Sequence, residues 1–508
     1  MYEQNRLACH LRQASENYDN EIFAREPLSG RVTSYGAFFS NAERVAAALV
    51  KAGVKPGDRV AAQVNKSLEA LELYVGTVLA GGVFLPLNNA YTGSEISYFL
   101  GDAEPRVFVC DPGKQQQLAD VANEAGVSTL WTLGSDGAGS LGKARELEAP
   151  GFQAVARRSD DLAAILYTSG TTGRSKGAML SHEALASNAD TLAQYWQFSA
   201  DDVLIHALPI FHTHGLFVAT NVVLMSRASM VFLPSFNADL ILDNMPSATC
   251  MMGVPTFYVR LLEAEGLAGA ARNMRLFVSG SAPLLAETHD KWREVTGHAI
   301  LERYGMTETN MNTSNPYTGE RRAGTVGFPL PGVELIVSNP ETGEALEQGE
   351  IGIIEVRGAN VFSGYWRMPE KTAEELRDNG FFITGDLGYV DDDGYVHIVG
   401  RSKDLIISGG YNVYPKEIEL LIDDIPGVNE SAVIGVPHPD FGEGVVAVVV
   451  TETAGSVDES TITAALAHDL ARFKQPKKIH MVDALPRNTM GKVQKNLLRD
   501  QFAGDFSA

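Results

Sequence analysis

The sequence predicts an α/β chain: a large N-terminal body of several subdomains, one of them β-rich, followed by a small α+β C-terminal domain. Three observations carry this. Over the first 400 or so residues, short apolar runs alternate with amphipathic helix-like stretches, the signature of strands layered with helices. From Val333 the texture turns strand-rich and is punctuated by glycine. After GRSKDLIISGG (400–410) it changes again, to one compact α+β unit, so the break near Arg401–Lys403 divides residues 1–401 from residues 402–508.

The elements follow in order. RVAAQV (59–64), RVFVCD (106–111) and DLAAILYTSG (161–170) read as strands, while 41–54 and 68–80 are apolar at helical spacing and read as core helices. The Gly/Ser-rich patch GSDGAGSLG (134–142) reads as a surface loop. VELIVS, EIGIIEVRG and GYVHIVG are short strands split by turns, the β subdomain. PKEIELLIDDIPGV, SAVIGVPH, VVAVVV and a helical stretch from Thr461 make up the last unit. No internal repeat is visible.

Composition narrows the function. The chain has 508 residues, 45% of them hydrophobic, which excludes a mini-protein, a collagen and a disordered chain and leaves room for about three folding units. Its 41 Lys+Arg against 63 Asp+Glu leave a net charge of −22, which argues against nucleic-acid and anionic-membrane partners but not against an anionic substrate in a local basic pocket. Cys9, Cys110 and Cys250 are far apart, odd in number and without zinc spacing, which fits a reducing cytoplasm. The N-terminal stretch lacks the apolar run of a signal peptide, and no apolar stretch exceeds strand length, so no membrane span is expected.

At the end of an apolar strand stands Tyr167-Thr-Ser-Gly-Thr-Thr-Gly-Arg-Ser-Lys-Gly177. Gly170, Gly173 and Gly177 let backbone N–H groups turn toward an anion, Thr168, Ser169, Thr171, Thr172 and Ser175 add hydroxyls, and Lys176 adds a positive charge. This composition suits a phosphate chain. It is neither a Walker A loop nor a GxGxxG turn.

The loop resembles the signature of the acyl- and aryl-adenylate-forming enzymes, a family that includes acyl-CoA synthetases, peptide-synthetase adenylation domains and firefly luciferase. The family's further motifs follow in order: ERYGMTE (302–308), ITGDLG (383–388), GRSKDLIISGGYNVYPKEIE (400–419) and LPRNTMGKVQK (485–495). The resemblance covers nearly the whole chain. It implies the adenylate-forming fold with a mobile C-terminal cap, ATP and coenzyme A as co-substrates, Mg²⁺, and a reaction in two steps. A carboxylate first attacks the α-phosphate of ATP, and a thiol then expels AMP from the acyl carbon.

The resemblance also implies residue roles. Thr168, Ser169, Gly170, Thr171, Thr172, Gly173 and Lys176 would hold the phosphates; Glu302, Arg303, Tyr304, Gly305, Met306 and Thr307 would surround the nucleotide, with Glu308 on Mg²⁺. Read alone, Glu308 would be a solvated acid or a helix cap; the motif around it makes it a magnesium ligand. Asp386 would hold the ribose hydroxyls, Arg401 the ribose or a phosphate, and Ser281 would lie along the adenosine. Lys492 would close over the α-phosphate in the first step, although a lysine among Arg487, Lys495 and Arg499 also reads as a solvated basic face. Lys403 matches the hinge, and Gly409 and Gly410 the loop facing pantetheine, where a plain hairpin turn is the alternative. An exposed Lys492 would be open to a protein lysine acetyltransferase and deacetylase.

Superfamily motifs do not identify the acid. LPIFHTHGLFVA (208–219) would place His212, with His214 nearby, beside the acyl carboxylate, and Ser279 would also meet the substrate. In GVPTFYVRLL (253–262), Pro255 opens a helix on which Arg260 either snorkels to the surface or pairs with a second carboxylate. HALPIFHTHGLF, MMGVPTFYVRLL, VSGSAPLL and ERYGMTETNMNTSNPY together resemble the malonyl-CoA synthetases more than the acetyl-, coumaroyl- or long-chain synthetases. That resemblance implies malonate as the acid, methylmalonate as a poorer substrate and Arg260 on the distal carboxylate. The competing readings are a CoA ligase for methylmalonate, acetate or a small aryl acid, and a carrier-loading adenylation enzyme, for which a basic docking face is missing.

Overall fold

The structure is a computed structural model that describes residues 4–13, 17–168, 175–340, 342–408, 411–453, 455–488 and 491–506. The chain divides into two compact units, Met1–Glu334 with Arg357–Phe382 and Leu335–Val356 with Ile383–Ala508.

The first unit holds two sheets. In the smaller, strands run in the order Thr129–Thr132, Val107–Cys110, Arg59–Gln63, Val83–Pro86, Leu162–Thr168 and Lys176–Ser181. All are parallel except the last, which returns antiparallel from Leu162–Thr168. Val83–Pro86 and Val107–Cys110 are buried at every position, so they read as continuous apolar runs rather than alternating ones. The helix Leu68–Leu79 is also buried throughout and starts where Ser67 accepts from the Ala70 N–H. The helix expected over 41–54 runs instead over Tyr35–Lys51, because Ser34 caps it by accepting from the Ala37 N–H. The loop expected over 134–142 is shorter: the helix Ser140–Glu146 begins within it, and Leu141 and Gly142 are buried.

The larger sheet has nine strands, ordered Phe328–Pro329, Asn310–Ser314, Leu301–Met306, Leu276–Ser279, Cys250–Gly253, Val203–His206, Ser229–Phe232, Ile22–Glu26 and Arg31–Ser34. From Leu301–Met306 to Ile22–Glu26 every pairing is parallel. Beside it, Tyr258 and Phe277 each meet Trp292 edge-on at 4.9 Å between ring centroids. The Tyr258 hydroxyl donates to the Val278 carbonyl at 2.7 Å, which ties the helix Pro255–Leu262 to the sheet.

The β subdomain, expected within residues 1–401, is a sheet ordered Val333–Ser338, Gly352–Gly358, Phe382–Val390, Val396–Arg401, and most of it groups with the C-terminal residues in the second unit rather than with the N-terminal body. The second unit also carries a five-stranded sheet in which Gly442–Thr451 pairs with Val428–His438, Ile406–Ser408 and Lys478–Met481. Apolar clusters cover that sheet, one including Ile418, Ile422 and Leu466, the other Leu485 and Leu498. The helix expected from Thr461 begins at Glu459, since Asp458 accepts from the Thr461 N–H. Among the described residues no helix is long and apolar enough to cross a membrane.

Candidate active site

Parallel strands deliver their C-terminal ends to one edge of a sheet, the place where open α/β sheets bind ligands. On the nine-stranded sheet, four segments arrive there: 207–214 after Val203–His206, the helix Pro255–Leu262 after Cys250–Gly253, Gly280-Ser281 after Leu276–Ser279, and the end of Leu301–Met306. These carry His212, His214, Arg260, Ser279, Ser281, Glu302, Arg303 and Tyr304. The topology thus collects the acyl-pocket residues and part of the nucleotide set named from sequence on one edge.

His214 is buried, and its Nδ1 lies 3.2 Å from Ser281 Oγ. Its backbone N–H donates to His212 Nδ1 at 3.3 Å. Burial first, then the positive Arg303, hold His214 well below the usual histidine range, so the ring is neutral. Arg303 is only 4% exposed. It occupies the space that a side chain at Gly280 would take, since a Cβ there would sit 2.4 Å from the Arg303 Cζ. Burial pushes this guanidinium down to about 9 and the Glu302 carboxyl up to about 8.

Several polar atoms here have no hydrogen-bond partner among the described residues: His214 Nε2, Ser279 Oγ, Glu302 Oε1, and Arg303 Nε and one terminal guanidinium nitrogen. An orphaned buried polar group costs about 1–3 kcal/mol, and a charged one more, so such a concentration marks a place built to receive a ligand. Two unpaired N–H directions on a buried guanidinium suit a carboxylate or phosphate. Arg260 stands apart from this buried set. The helix opens at Pro255 as expected, but Arg260 is exposed, with its guanidinium 5.7 Å from the Phe236 ring centroid.

A second group forms around Glu308. The strands Leu301–Met306 and Asn310–Ser314 pair antiparallel across Met306 and Asn310, and Glu308 sits buried in the turn between them. Gly305 is required there, because a Cβ would fall 1.9 Å from the Asn310 carbonyl oxygen. Tyr304, Met306 and Thr307 are half-buried around the same turn. Tyr365 brings its hydroxyl to 3.0 Å from Glu308 Oε1 and 2.6 Å from Glu375 Oε2. Glu375 in turn pairs with Lys176 Nζ at 3.2 Å, and that ammonium lies 4.1 Å from the Tyr365 ring centroid. Thr168 and Lys176 face each other across the paired strands. Ser169, Gly170, Thr171, Thr172 and Gly173 lie outside the described residues.

Sequence reasoning missed Tyr365 and Glu375. They belong to none of the five motifs, and Lys176 is 199 residues from its partner Glu375. Among the described residues no group of three or more His, Cys, Asp or Glu side chains is arranged to hold a metal. Glu308 nevertheless fits Mg²⁺, which takes one or two carboxylates and fills its shell with phosphate oxygens and water.

In the second unit, Asp386 and Arg401 face each other in the antiparallel pairing of Phe382–Val390 with Val396–Arg401, and Arg401 Nε meets Asp386 Oδ1 at 2.7 Å. Asp386 is buried while Arg401 is partly open to solvent, so the pair offers a fixed carboxylate beside a reachable cation. Lys403 is exposed on the turn Ser402–Asp404, and Arg499 grips Asp404 at 2.6 Å. Gly409 and Gly410 lie outside the described residues. Gly491, with φ of 77°, makes the sharp turn expected of it. Its N–H donates to the Asn488 carbonyl at 2.9 Å, the Lys492 N–H donates to Asn488 Oδ1 at 3.0 Å, and Lys492 is exposed.

The AMP-binding enzyme family matches residues 11–366, and the AMP-binding enzyme C-terminal domain matches residues 417–492. A malonate–CoA ligase of Arabidopsis thaliana is 34% identical over 527 residues, covering 92% of this chain and 84% of its own length. The mitochondrial malonate–CoA ligase ACSF3 of Mus musculus is 35% identical over 491 residues, covering 88% of this chain and 83% of its own. The ATP-bound crystal structure of MatB from Rhodopseudomonas palustris is 59% identical and aligns with a TM-score of 0.96, covering 98% of this chain and all of that one.

Proposed function

The chain belongs to the AMP-binding enzyme family, and from that premise we propose that it ligates malonate to coenzyme A through malonyl-AMP, releasing AMP and pyrophosphate. The observation that carries the choice of acid is Arg303: expected beside the nucleotide, as Ser281 was expected along the adenosine, it is a buried guanidinium with unpaired N–H groups near neutral His214 and Ser281, and we assign both residues to the acid instead. The malonate–CoA ligases among its relatives support the same reading. Malonate is a dianion, and two guanidinium groups are available to it, Arg303 and the exposed Arg260. A monocarboxylate would leave one of them unmet, and where that one is the buried Arg303 the unpaired charge costs about 3–5 kcal/mol.

In the first step a malonate oxygen forms a bond to the α-phosphorus as the bond to the pyrophosphate oxygen breaks. Charge stabilisation and positioning carry such a transfer. Lys176 and the loop 168–173 meet the phosphates, Lys492 and Thr307 the α-phosphate, and Asp386 with Arg401 the ribose. Mg²⁺, where bound, supplies charge neutralisation on the phosphates, and Glu308 would hold it. In the second step the thiol sulfur bonds to the acyl carbon and AMP departs with the electron pair of the C–O bond. The acid is oriented by Arg303, His212, His214, Ser279, Ser281 and Arg260.

Lys492 serves only the first step, so residues 402–508 form a cap that turns about Lys403 and brings Gly409 and Gly410 to the pantetheine. Lys492, exposed on its turn, is also a substrate for a lysine acetyltransferase, which would silence adenylation by removing the charge. The three cysteines, odd in number and far apart in the sequence, support a reducing cytoplasm. Coenzyme A-dependent AMP release across mono- and dicarboxylates tests the function. Malonate is expected to lead, methylmalonate to follow, and acetate to fall about a hundredfold or more behind; faster release with acetate or an aryl acid overturns the assignment.

A further inference from the structure

The four side chains Lys176, Glu375, Tyr365 and Glu308 form one unbroken chain of contacts. Lys176 Nζ lies 3.2 and 3.3 Å from the two Glu375 oxygens. The Tyr365 hydroxyl lies 2.6 Å from Glu375 and 3.0 Å from Glu308. Tyr365 is buried and fixed from behind, its N–H donating to Thr372 Oγ1 at 2.9 Å, and Thr372 lies on the helix Pro369–Glu375 that also carries Glu375. Lys371, one turn earlier on that helix, meets Glu375 at 2.9 Å. Glu375 is therefore held at a set position by three donors.

A carboxylate at that position matters for a ligand that needs Lys176. A triphosphate approaching the loop presents oxygens of the same charge and hydrogen-bonding type as Glu375, and one ammonium cannot satisfy both fully. The contact with Lys176 is partly exposed, with side chains 19% and 22% open, so it is an ion pair of modest strength that a phosphate can displace.

We propose that Glu375 is a built-in competitor for the triphosphate: it holds Lys176 in the nucleotide-free enzyme, yields it to ATP, and takes it back as pyrophosphate leaves. Tyr365 is the positioning residue that keeps this competitor in place, and its hydroxyl also contacts Glu308, so the exchange is linked to that carboxylate. The device lowers the affinity of the site for ATP and pyrophosphate alike and speeds the release of the latter. It rests on the reading of Lys176 as a triphosphate ligand.

Calorimetric titration of the full chain with ATP, pyrophosphate and AMP separates these cases. In Glu375→Gln, which keeps an acceptor for the Tyr365 hydroxyl but loses the charge, ATP and pyrophosphate should each bind roughly fivefold more tightly, equivalent to about 1 kcal/mol of ion pair. AMP, which lacks the β- and γ-phosphates, should bind as in the wild type. Pyrophosphate release, followed by stopped flow, should slow by a similar factor. Glu375→Asp, which retains the charge on a shorter arm, should fall between the two. Unchanged or weaker ATP binding, or an equal gain for AMP, overturns the proposal. Lys176→Ala is the separate control: if it binds ATP as the wild type does, the assignment of Lys176 is at fault, whereas weakened ATP binding there with a neutral Glu375→Gln sinks the competitor alone.

Discussion

Ser281 Oγ lies 3.2 Å from His214 Nδ1, and Ser281 holds this contact in a left-handed backbone conformation with φ of 71°. A non-glycine residue in that region costs on the order of 1–3 kcal/mol and persists where the surroundings require it. Glycine would relieve that strain and lose the hydroxyl; alanine would lose the hydroxyl and keep the strain. Ser281→Ala should therefore be the less stable variant by about 1 kcal/mol in denaturant unfolding. Both should raise the KM for malonate about tenfold, the loss of one buried hydrogen bond, with the KM for ATP unmoved. Equal stability of the two variants would contradict a strained Ser281.

The two guanidinium groups predict different effects on stability and selectivity. Replacing buried Arg303 by Met removes an unpaired charge, so thermal stability should hold or rise while malonate turnover falls about a hundredfold or more. Exposed Arg260→Ala should leave stability and ATP affinity unchanged but shift the malonate-to-acetate preference by about fivefold, the strength of an exposed ion pair. A preference that does not move rules out Arg260 as a selectivity residue.

For the C-terminal cap, the two half-reactions can be measured apart. Lys492→Ala should lose ATP–pyrophosphate exchange while retaining much of the thioester synthesis from supplied malonyl-AMP. Lys403→Pro should do the reverse, since it stiffens the turn Ser402–Asp404 without touching substrate. Parallel loss of both steps in either variant speaks against a domain that alternates between them.

Burial raises the Glu302 carboxyl from an ordinary value of 4.5 to about 8. The folded chain then keeps a proton that the unfolded chain releases. The stability this contributes is fully present below pH 4.5 and is lost as pH rises through 8. Glu302→Gln mimics the protonated form, so its melting temperature should fall less between pH 5 and pH 8 than that of the wild type. Parallel curves for the two proteins would show that Glu302 does not titrate in this window.

Much of this was legible in the chain itself. Buried parallel strands such as Val107–Cys110 are apolar without interruption, so hydrophobic runs located them. Helix ends were harder, because the capping bonds of Ser34 and Asp458 depend on local backbone geometry rather than on the apolar stripe. Gly491 and Glu308 were visible because their chemistry sits within a few consecutive residues. Tyr365 and Glu375 were not, because their partners are distant in sequence and no spacing encodes a contact made across a sheet.

The sequence by itself determined the α/β order of elements, the phosphate loop and the four further motifs that mark the adenylate-forming family, since each is a local pattern of backbone freedom, charge and hydrogen-bonding groups. Only the tertiary structure decided that Arg303 is buried and unpaired while Arg260 is exposed, and that Lys176 reaches Glu308 through Glu375 and Tyr365. Burial and pairing depend on which strands lie side by side, and parallel pairing joins segments whose separation in the chain carries no signal of their contact.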